Sequence, residues 1–181
     1  MGSPPLAGIA VLNAFGYTCG FSVCAAMGGA HTTSLDLSGK YLEWGKRNFQ
    51  LNDLDPAGHE FIKGDAFDWL RRLAKWKRLF DVIVLDPPTF SRSKGQGVFR
   101  AEEDYARLVR SALPLLKSNG VLLAATNAAK LAPEKFLAQV TAAIRSASRK
   151  IVQQYYGPQP PDFPASAAEP AYLNTTWLRI E

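Results

Sequence analysis

The stretch "FDVIVLDPPTFSRSK" (residues 80–94) sets the architecture. Phe80, Val82, Ile83, Val84 and Leu85 form a near-continuous apolar run, the pattern of a strand buried on both faces. The run stops at Asp86, two prolines stiffen the chain at Pro87 and Pro88, and Phe90, Arg92 and Lys94 follow. Similar short runs precede and follow it: "GIAVLNAF" (8–15), "TTSLDL" (32–37), "HEFIKGD" (59–65) and "GVLLAATN" (120–127). Helix-like stretches at 21–27, 38–51, 66–76, 102–117 and 133–147 separate them. In "EEDYARLVRSALPLLK", Tyr105, Leu108, Val109, Ala112, Leu115 and Leu116 share one helical face, and Pro114 predicts a kink near the end. Strands alternating with helices predict βαβ units.

The C-terminal end changes pattern. "KIVQQYYG" (150–157) and "AYLNTTWLRI" (171–180) read as strands, and the proline-rich segment between them leaves no crossover helix. These two strands must therefore be antiparallel neighbours. The expected fold is α/β: a Rossmann-like, seven-stranded, mostly parallel sheet with an antiparallel last strand and helices on both faces. Residues 91–101, "SRSKGQGVFRA", are expected to be a mobile loop.

A length of 181 residues suits one domain with a full core, spanning 1–181. No apolar run is long enough to cross a bilayer and no signal peptide is evident at Met1–Pro5, so no membrane partner and a cytoplasmic location are expected. Two cysteines, Cys19 and Cys24, make neither a disulfide framework nor a metal site, and no metal is expected. Residues 1–90 hold nine Lys/Arg against nine Asp/Glu, and residues 91–181 hold twelve against seven, so the whole net charge of +5 lies in the second half. That surplus is compatible with an anionic partner such as RNA.

Ligands of open α/β sheets bind beyond the carboxyl ends of the strands. Five strands end in polar residues there: Asn13, Asp36, Asp65, Asp86 and Asn127. Asp36 lies 23 residues after Asn13, a spacing that suits an acid gripping a ribose diol. The intervening loop is Gly16-x-x-x-Gly20 rather than G-x-G-x-x-G, which fits a ribose ligand without phosphates: an adenosyl group on a sulfonium amino acid. The helix starting near Gly20 and Phe21 offers free N–H groups to that ligand's carboxylate. A nucleotide-dependent oxidoreductase is disfavoured by the same loop. A non-catalytic RNA-binding or cofactor-sensing module is the alternative from outside the enzymes.

The stretches "VLNAFGYTCGFSV", "LDLSGKYLEWGKRNFQLNDL", "HEFIKGDAFDWL", "VLDPPTFSRSK" and "NGVLLAATN" resemble class I S-adenosylmethionine-dependent methyltransferases. More narrowly, they resemble the catalytic domain of the bacterial ribosomal RNA large-subunit methyltransferase family. The resemblance implies S-adenosylmethionine as cofactor and RNA, ribosomal RNA above all, as partner. It implies that Asp36, followed by Leu37 and Ser38, holds the ribose. Asp65, Ala66 and Phe67 meet the adenine. Asn13 and the loop Phe15, Tyr17, Thr18, Gly20 and Phe21 lie under the methionine portion. Asp86, Pro87, Pro88 and Phe90 form the catalytic stretch, with Phe90 stacking on the base and Arg92, Lys94 and Arg100 on flanking phosphates.

Two positions depart from the family pattern. Asn13 stands where the first strand often ends in Asp, and Cys19 replaces the second loop glycine and is expected to crowd the ligand. Cytosine-5 relatives carry a nucleophilic cysteine after strand four or five, where this chain has Thr89 and Ala125-Thr126-Asn127. With Cys24 expected to face the core, a base nitrogen is the preferred acceptor. Trp44, Trp69, Trp76 and Trp177 are expected to be core or half-buried. Such relatives usually carry an N-terminal RNA-binding portion, for which residues 1–8 leave no room, so the chain is expected to be a fragment or to find its substrate otherwise.

Overall fold

The computed structural model describes residues 8–93, 97–160, 163, 165–166 and 171–181. Lys94, and with it part of the expected loop, lies outside them. The order is β1 (Ala10–Ala14), α1 (Gly20–Met27), β2 (His31–Asp36), α2 (Gly39–Leu51), β3 (Glu60–Lys63), α3 (Ala66–Lys75), β4 (Phe80–Leu85), β5 (Phe90–Ser93), β6 (Gly97–Arg100), α4 (Ala101–Ala112), β7 (Leu116–Thr126), α5 (Pro133–Ser146), β8 (Ile151–Gly157) and β9 (Asn174–Ile180). Seven strands form one sheet in the order β3-β2-β1-β4-β7-β9-β8. The pairings from β3 to β7 are parallel, whereas β9 runs antiparallel to both β7 and β8. The expected antiparallel last strand is thus present, inserted between two others.

Strand alternation divides the core into two layers. Leu12, Ala14, Ile83, Leu85, Leu122 and Leu178 turn to the face covered by α3, α4 and α5, where Leu70, Leu73, Tyr105, Leu108, Phe136 and Val140 are buried. A smaller cluster, Cys19, Val23, Ala26, Leu42 and Phe49, lies under α1 and α2 on the other face. Helix starts follow the local chemistry. Ser38 caps α2 by accepting the N–H of Tyr41, and Asp65 caps α3 by accepting that of Asp68. Helix α4 opens with Glu102, Glu103 and Asp104, favourable at the positive end of a helix dipole.

Four expectations are corrected. Helix α4 ends at Ala112, and Leu113–Leu115 form a 3₁₀ turn, because Pro114 has no N–H and its ring opposes the preceding helical carbonyl. The loop expected at 91–101 is largely an antiparallel hairpin, β5 against β6, with Phe90 opposite Arg100, Ser91 opposite Phe99 and Arg92 opposite Val98. The cysteines exchange places: Cys19 is fully buried and Cys24 is exposed. Cys19 adopts a left-handed conformation (φ 64°) that turns its side chain into the α1–α2 cluster, and burial raises its thiol pKa. Of the tryptophans, Trp69 is half-buried, whereas Trp44, Trp76 and Trp177 are substantially exposed.

Helix α2 can approach this turn because position 45 is glycine; a Cβ there would overlap the Cys19 sulfur. Gly45→Ala is expected to destabilise the fold by about 1–3 kcal/mol through overpacking. Combined with Cys19→Gly, which opens that space and suits the left-handed backbone, it should show a favourable coupling of about 1 kcal/mol or more in urea unfolding. Strictly additive effects would contradict the packing.

Candidate active site

At the carboxyl ends of β1, β2, β3, β4 and β7 lies a cavity of about 420 Å³. Of the residues singled out from the sequence, Phe15, Tyr17, Asp36, Leu37, Asp65, Ala66, Phe67, Asp86, Pro87 and Pro88 line it. So do Leu35, Tyr41, Gly64, Ser91, Gly97, Phe99, Arg107 and Asn127. Asn127 was visible as a polar strand end. Ser91, Gly97 and Phe99 belong to the hairpin that had read as a loop, and Arg107 comes from α4, whose periodicity carries no sign of the cavity.

The β1–α1 loop is strained and held. Phe15 (φ 70°), Tyr17 (φ 46°) and Cys19 (φ 64°) all occupy the left-handed region, at a cost on the order of 1 kcal/mol each. Gly16 N–H donates to the Leu35 carbonyl at 2.8 Å, and Asn48 Nδ2 donates to the Thr18 carbonyl at 2.9 Å. Asp36 Oδ2 accepts the Tyr17 N–H at 2.8 Å, and its Oδ1 accepts the Ser38 N–H at 2.8 Å. Each carboxylate oxygen retains acceptor capacity for a further donor.

The far wall is built from β4 and β7. Asp86 is half-buried with no hydrogen bond or cation beside its carboxylate among the described residues, and burial raises its pKa. Thr89 Oγ donates to Asn127 Oδ1 at 3.0 Å, tying the two strand exits together. Behind them the fully buried Tyr105 hydroxyl lies 2.9 Å from the Leu85 carbonyl and 2.8 Å from that of Ala125. Arg107 stacks over Phe67 at 4.3 Å from the ring centre and pairs with Asp104 at 3.3 Å.

Other expected site residues lie elsewhere. Asn13 is buried beneath α1, where Nδ2 donates to Ser22 Oγ at 3.0 Å, because its neighbours Leu12 and Ala14 take the opposite face. Its Oδ1 has no partner among the described residues. Thr18, Gly20, Phe21 and Ser38 do not line the cavity; Phe21 lines a separate groove on the α1 face of the sheet, together with Cys24. Cys19 does not crowd the cavity, since its side chain is turned under α2. Phe90, Arg92 and Arg100 are exposed on the hairpin. His31 and His59 have rings 5.7 Å apart, but they stand at the beginnings of β2 and β3, opposite the cavity. Among the described residues no group of His, Cys, Asp or Glu could hold a metal ion.

The position of the cavity and its row of acids define the ligand-binding edge of a doubly wound α/β domain. A family model for S-adenosylmethionine-dependent methyltransferases matches residues 4–177. The chain is 36% identical over 174 residues to a ribosomal RNA large subunit methyltransferase of Deinococcus radiodurans, covering 94% of this chain and 42% of that protein. It is 47% identical over 127 residues to ribosomal RNA large subunit methyltransferase K/L of a Psychrobacter strain, covering 68% of this chain and 15% of that protein. A methyltransferase structure solved in complex with SAH superposes with a TM-score of 0.84 at 35% identity, covering 98% of this chain and 46% of that one. The chain thus spans less than half the length of each. The chain belongs to the S-adenosylmethionine-dependent methyltransferase family, and S-adenosylmethionine is the cofactor of that family.

Asp86 generates a stability prediction. Its folded pKa lies above the unfolded value near 3.9, so the native state holds the proton more tightly than the unfolded chain does. The contribution to stability is fully present below the unfolded value and is lost as pH rises through the folded one. Asp86→Asn should therefore melt with the parent near pH 3 and above it at pH 7. A variant that melts lower than the parent at pH 7 would contradict the burial argument.

Proposed function

We propose that this protein transfers a methyl group from S-adenosylmethionine to a nitrogen of an RNA base, with ribosomal RNA as the substrate class. The names of the relatives support the RNA. The observation that carries the choice of atom is the absence of a cysteine from the cavity wall, where Asp86-Pro87-Pro88 stands instead. Methylation at cytosine C5 needs a thiolate adduct. Here Cys19 is buried under α2 with a raised pKa, and Cys24 is exposed on α1, where it lines a groove separate from the cavity.

The residues present suit the cofactor. Asp36 would accept from the ribose hydroxyls with the capacity left on its two oxygens, and Leu37 borders the same place. Asp65 and the start of α3 would meet the polar edge of the adenine, with Ala66, Phe67 and Phe99 giving its flat faces an apolar surface. The loop at Phe15 and Tyr17 would bound the amino-acid portion; Thr18 and Ser38 brace the site through their bonds to Asn48 and Asp36, while Asn13, Gly20 and Phe21 stand outside the cavity. The cofactor, when bound, supplies a methyl group on a positively charged sulfur.

Asp86 does the remaining work. Its carboxylate and the Pro87 carbonyl accept hydrogen bonds from the base and aim the nitrogen lone pair. Pro87 and Pro88 prevent the backbone from relaxing away. As the new N–C bond forms, an amino group must shed a proton. Asp86, made more basic by burial, is the carboxylate placed to take it before passing it to solvent.

The reading is tested by incubating the protein with ribosomal RNA and S-adenosylmethionine, then digesting the RNA and identifying the nucleosides by mass spectrometry. An N-methylated base is expected; 5-methylcytidine, or no product with any ribosomal RNA, contradicts it. Two variants divide the roles. Asp36→Ala removes charge-assisted hydrogen bonds worth roughly 1.5–3 kcal/mol each, so at least a tenfold loss of cofactor affinity is expected by calorimetry. Asp86→Ala should reduce turnover far more than cofactor affinity, because its interaction is felt chiefly in the transition state. Equal losses in both parameters would remove Asp86 from the chemistry.

A further inference from the structure

The β5–β6 hairpin has two unlike faces. Facing the cavity are Ser91 and Phe99, which are cross-strand partners; Phe99 is 5% exposed, with ring centres 6.4 Å from Phe15 and 6.0 Å from Phe67. Alternation sends the pairs Phe90–Arg100 and Arg92–Val98 to the opposite face, where all four side chains are exposed. Phe90 is 53% exposed, and the Arg100 guanidinium lies 5.4 Å from its ring centre. The neighbouring acid Asp104 is engaged, accepting the Arg100 backbone N–H at 2.9 Å and pairing with Arg107 at 3.3 Å. Among the described residues neither Arg92 nor Arg100 pairs with a carboxylate.

We infer that this outer face is a platform for single-stranded RNA on which Phe90 stacks with a nucleotide beside the methylated one, while Arg92 and Arg100 meet its phosphates. The inference rests on the RNA reading of the proposed function and revises the expectation from the sequence that Phe90 stacks on the target base. A target base must reach Asp86 inside the cavity, and Phe90 is on the wrong side of the ribbon to stack on it. An open aromatic ring beside two arginines that have no carboxylate partner among the described residues is the chemistry of sequence-tolerant single-strand binding. An apolar protein partner would leave the two cations without counterparts. Because the inner face of the same ribbon lines the cofactor cavity, RNA and cofactor would seat one element from opposite sides.

The test compares the parent, Phe90→Ala, Phe90→Trp and Arg92→Ala/Arg100→Ala. The probe is a short fluorescent single-stranded RNA, used alongside an abasic oligonucleotide of equal charge, with S-adenosylhomocysteine affinity measured in parallel. Phe90→Ala should weaken RNA binding by about tenfold or more, consistent with the loss of one stacked base. It should abolish the preference over the abasic strand and leave S-adenosylhomocysteine affinity unchanged, and Phe90→Trp should restore both properties. The double arginine variant should flatten the log–log salt slope by about 1.4, at about 0.7 for each phosphate contact. If the parent binds the RNA and Phe90→Ala binds it equally well, the platform is overturned while the methyl-transfer reading stands. Loss of S-adenosylhomocysteine affinity in Phe90→Ala also overturns it. A parent that binds no RNA, with cofactor binding intact, overturns the RNA reading and the platform together.

Discussion

The two backbone N–H groups that donate to Asp36 set the geometry of the site. Three residues in five, Phe15, Tyr17 and Cys19, adopt a conformation that side chains disfavour. The loop persists because bonds from several directions over-determine it: Asp36 takes the Tyr17 N–H, the Leu35 carbonyl takes that of Gly16, and Asn48 reaches over from α2 to Thr18. The carboxylate that would grip the ribose therefore also shapes the loop beneath the methionine portion. Such an acid arrives pre-oriented, so little side-chain freedom remains to be lost when a ligand binds.

The opposite wall obeys a similar rule with a different device. Asp86 and Asn127 leave adjacent parallel strands, and their spacing depends on how β4 and β7 end. Tyr105 stands behind both ends with its hydroxyl between the Leu85 and Ala125 carbonyls, buried and with a pKa held well above its ordinary value. It thus stays a neutral donor, with its single O–H shared between the two carbonyls. Phe136 meets its ring edge-on at 5.0 Å and holds it in place. A rigid support of this kind fixes where β4 delivers Asp86 and where β7 delivers Asn127.

Much of this was legible in the chain. The aliphatic runs are continuous because the sheet is covered on both faces. The acids at 36, 65 and 86 stand out because a buried strand has no other reason to end in charge. What was not legible depends on direction rather than composition. Asn13 ends a strand as the others do, but its place in the alternation sends it under α1. Cys19 looks as though it faces the ligand, and only its left-handed backbone turns it inward. The hairpin was hidden by the shortness of its strands and by their Ser and Gly residues, although the alternation of Phe90, Ser91 and Arg92 against Val98, Phe99 and Arg100 was a usable sign of a two-faced ribbon. Arg107 could not have been assigned to the cavity from its own helix, since it arrives there by α4 packing across Phe67.

The central claim is that the carboxyl edge of the sheet holds the cofactor through Asp36. A crystal structure of this protein with S-adenosylhomocysteine tests it most directly. The account predicts both ribose hydroxyls within hydrogen-bond distance of the Asp36 carboxylate, with the Tyr17 and Ser38 bonds retained and the adenine against Ala66 and Phe67. A ribose bound away from Asp36, or a ligand seated in the groove beside Phe21 and Cys24, would contradict it.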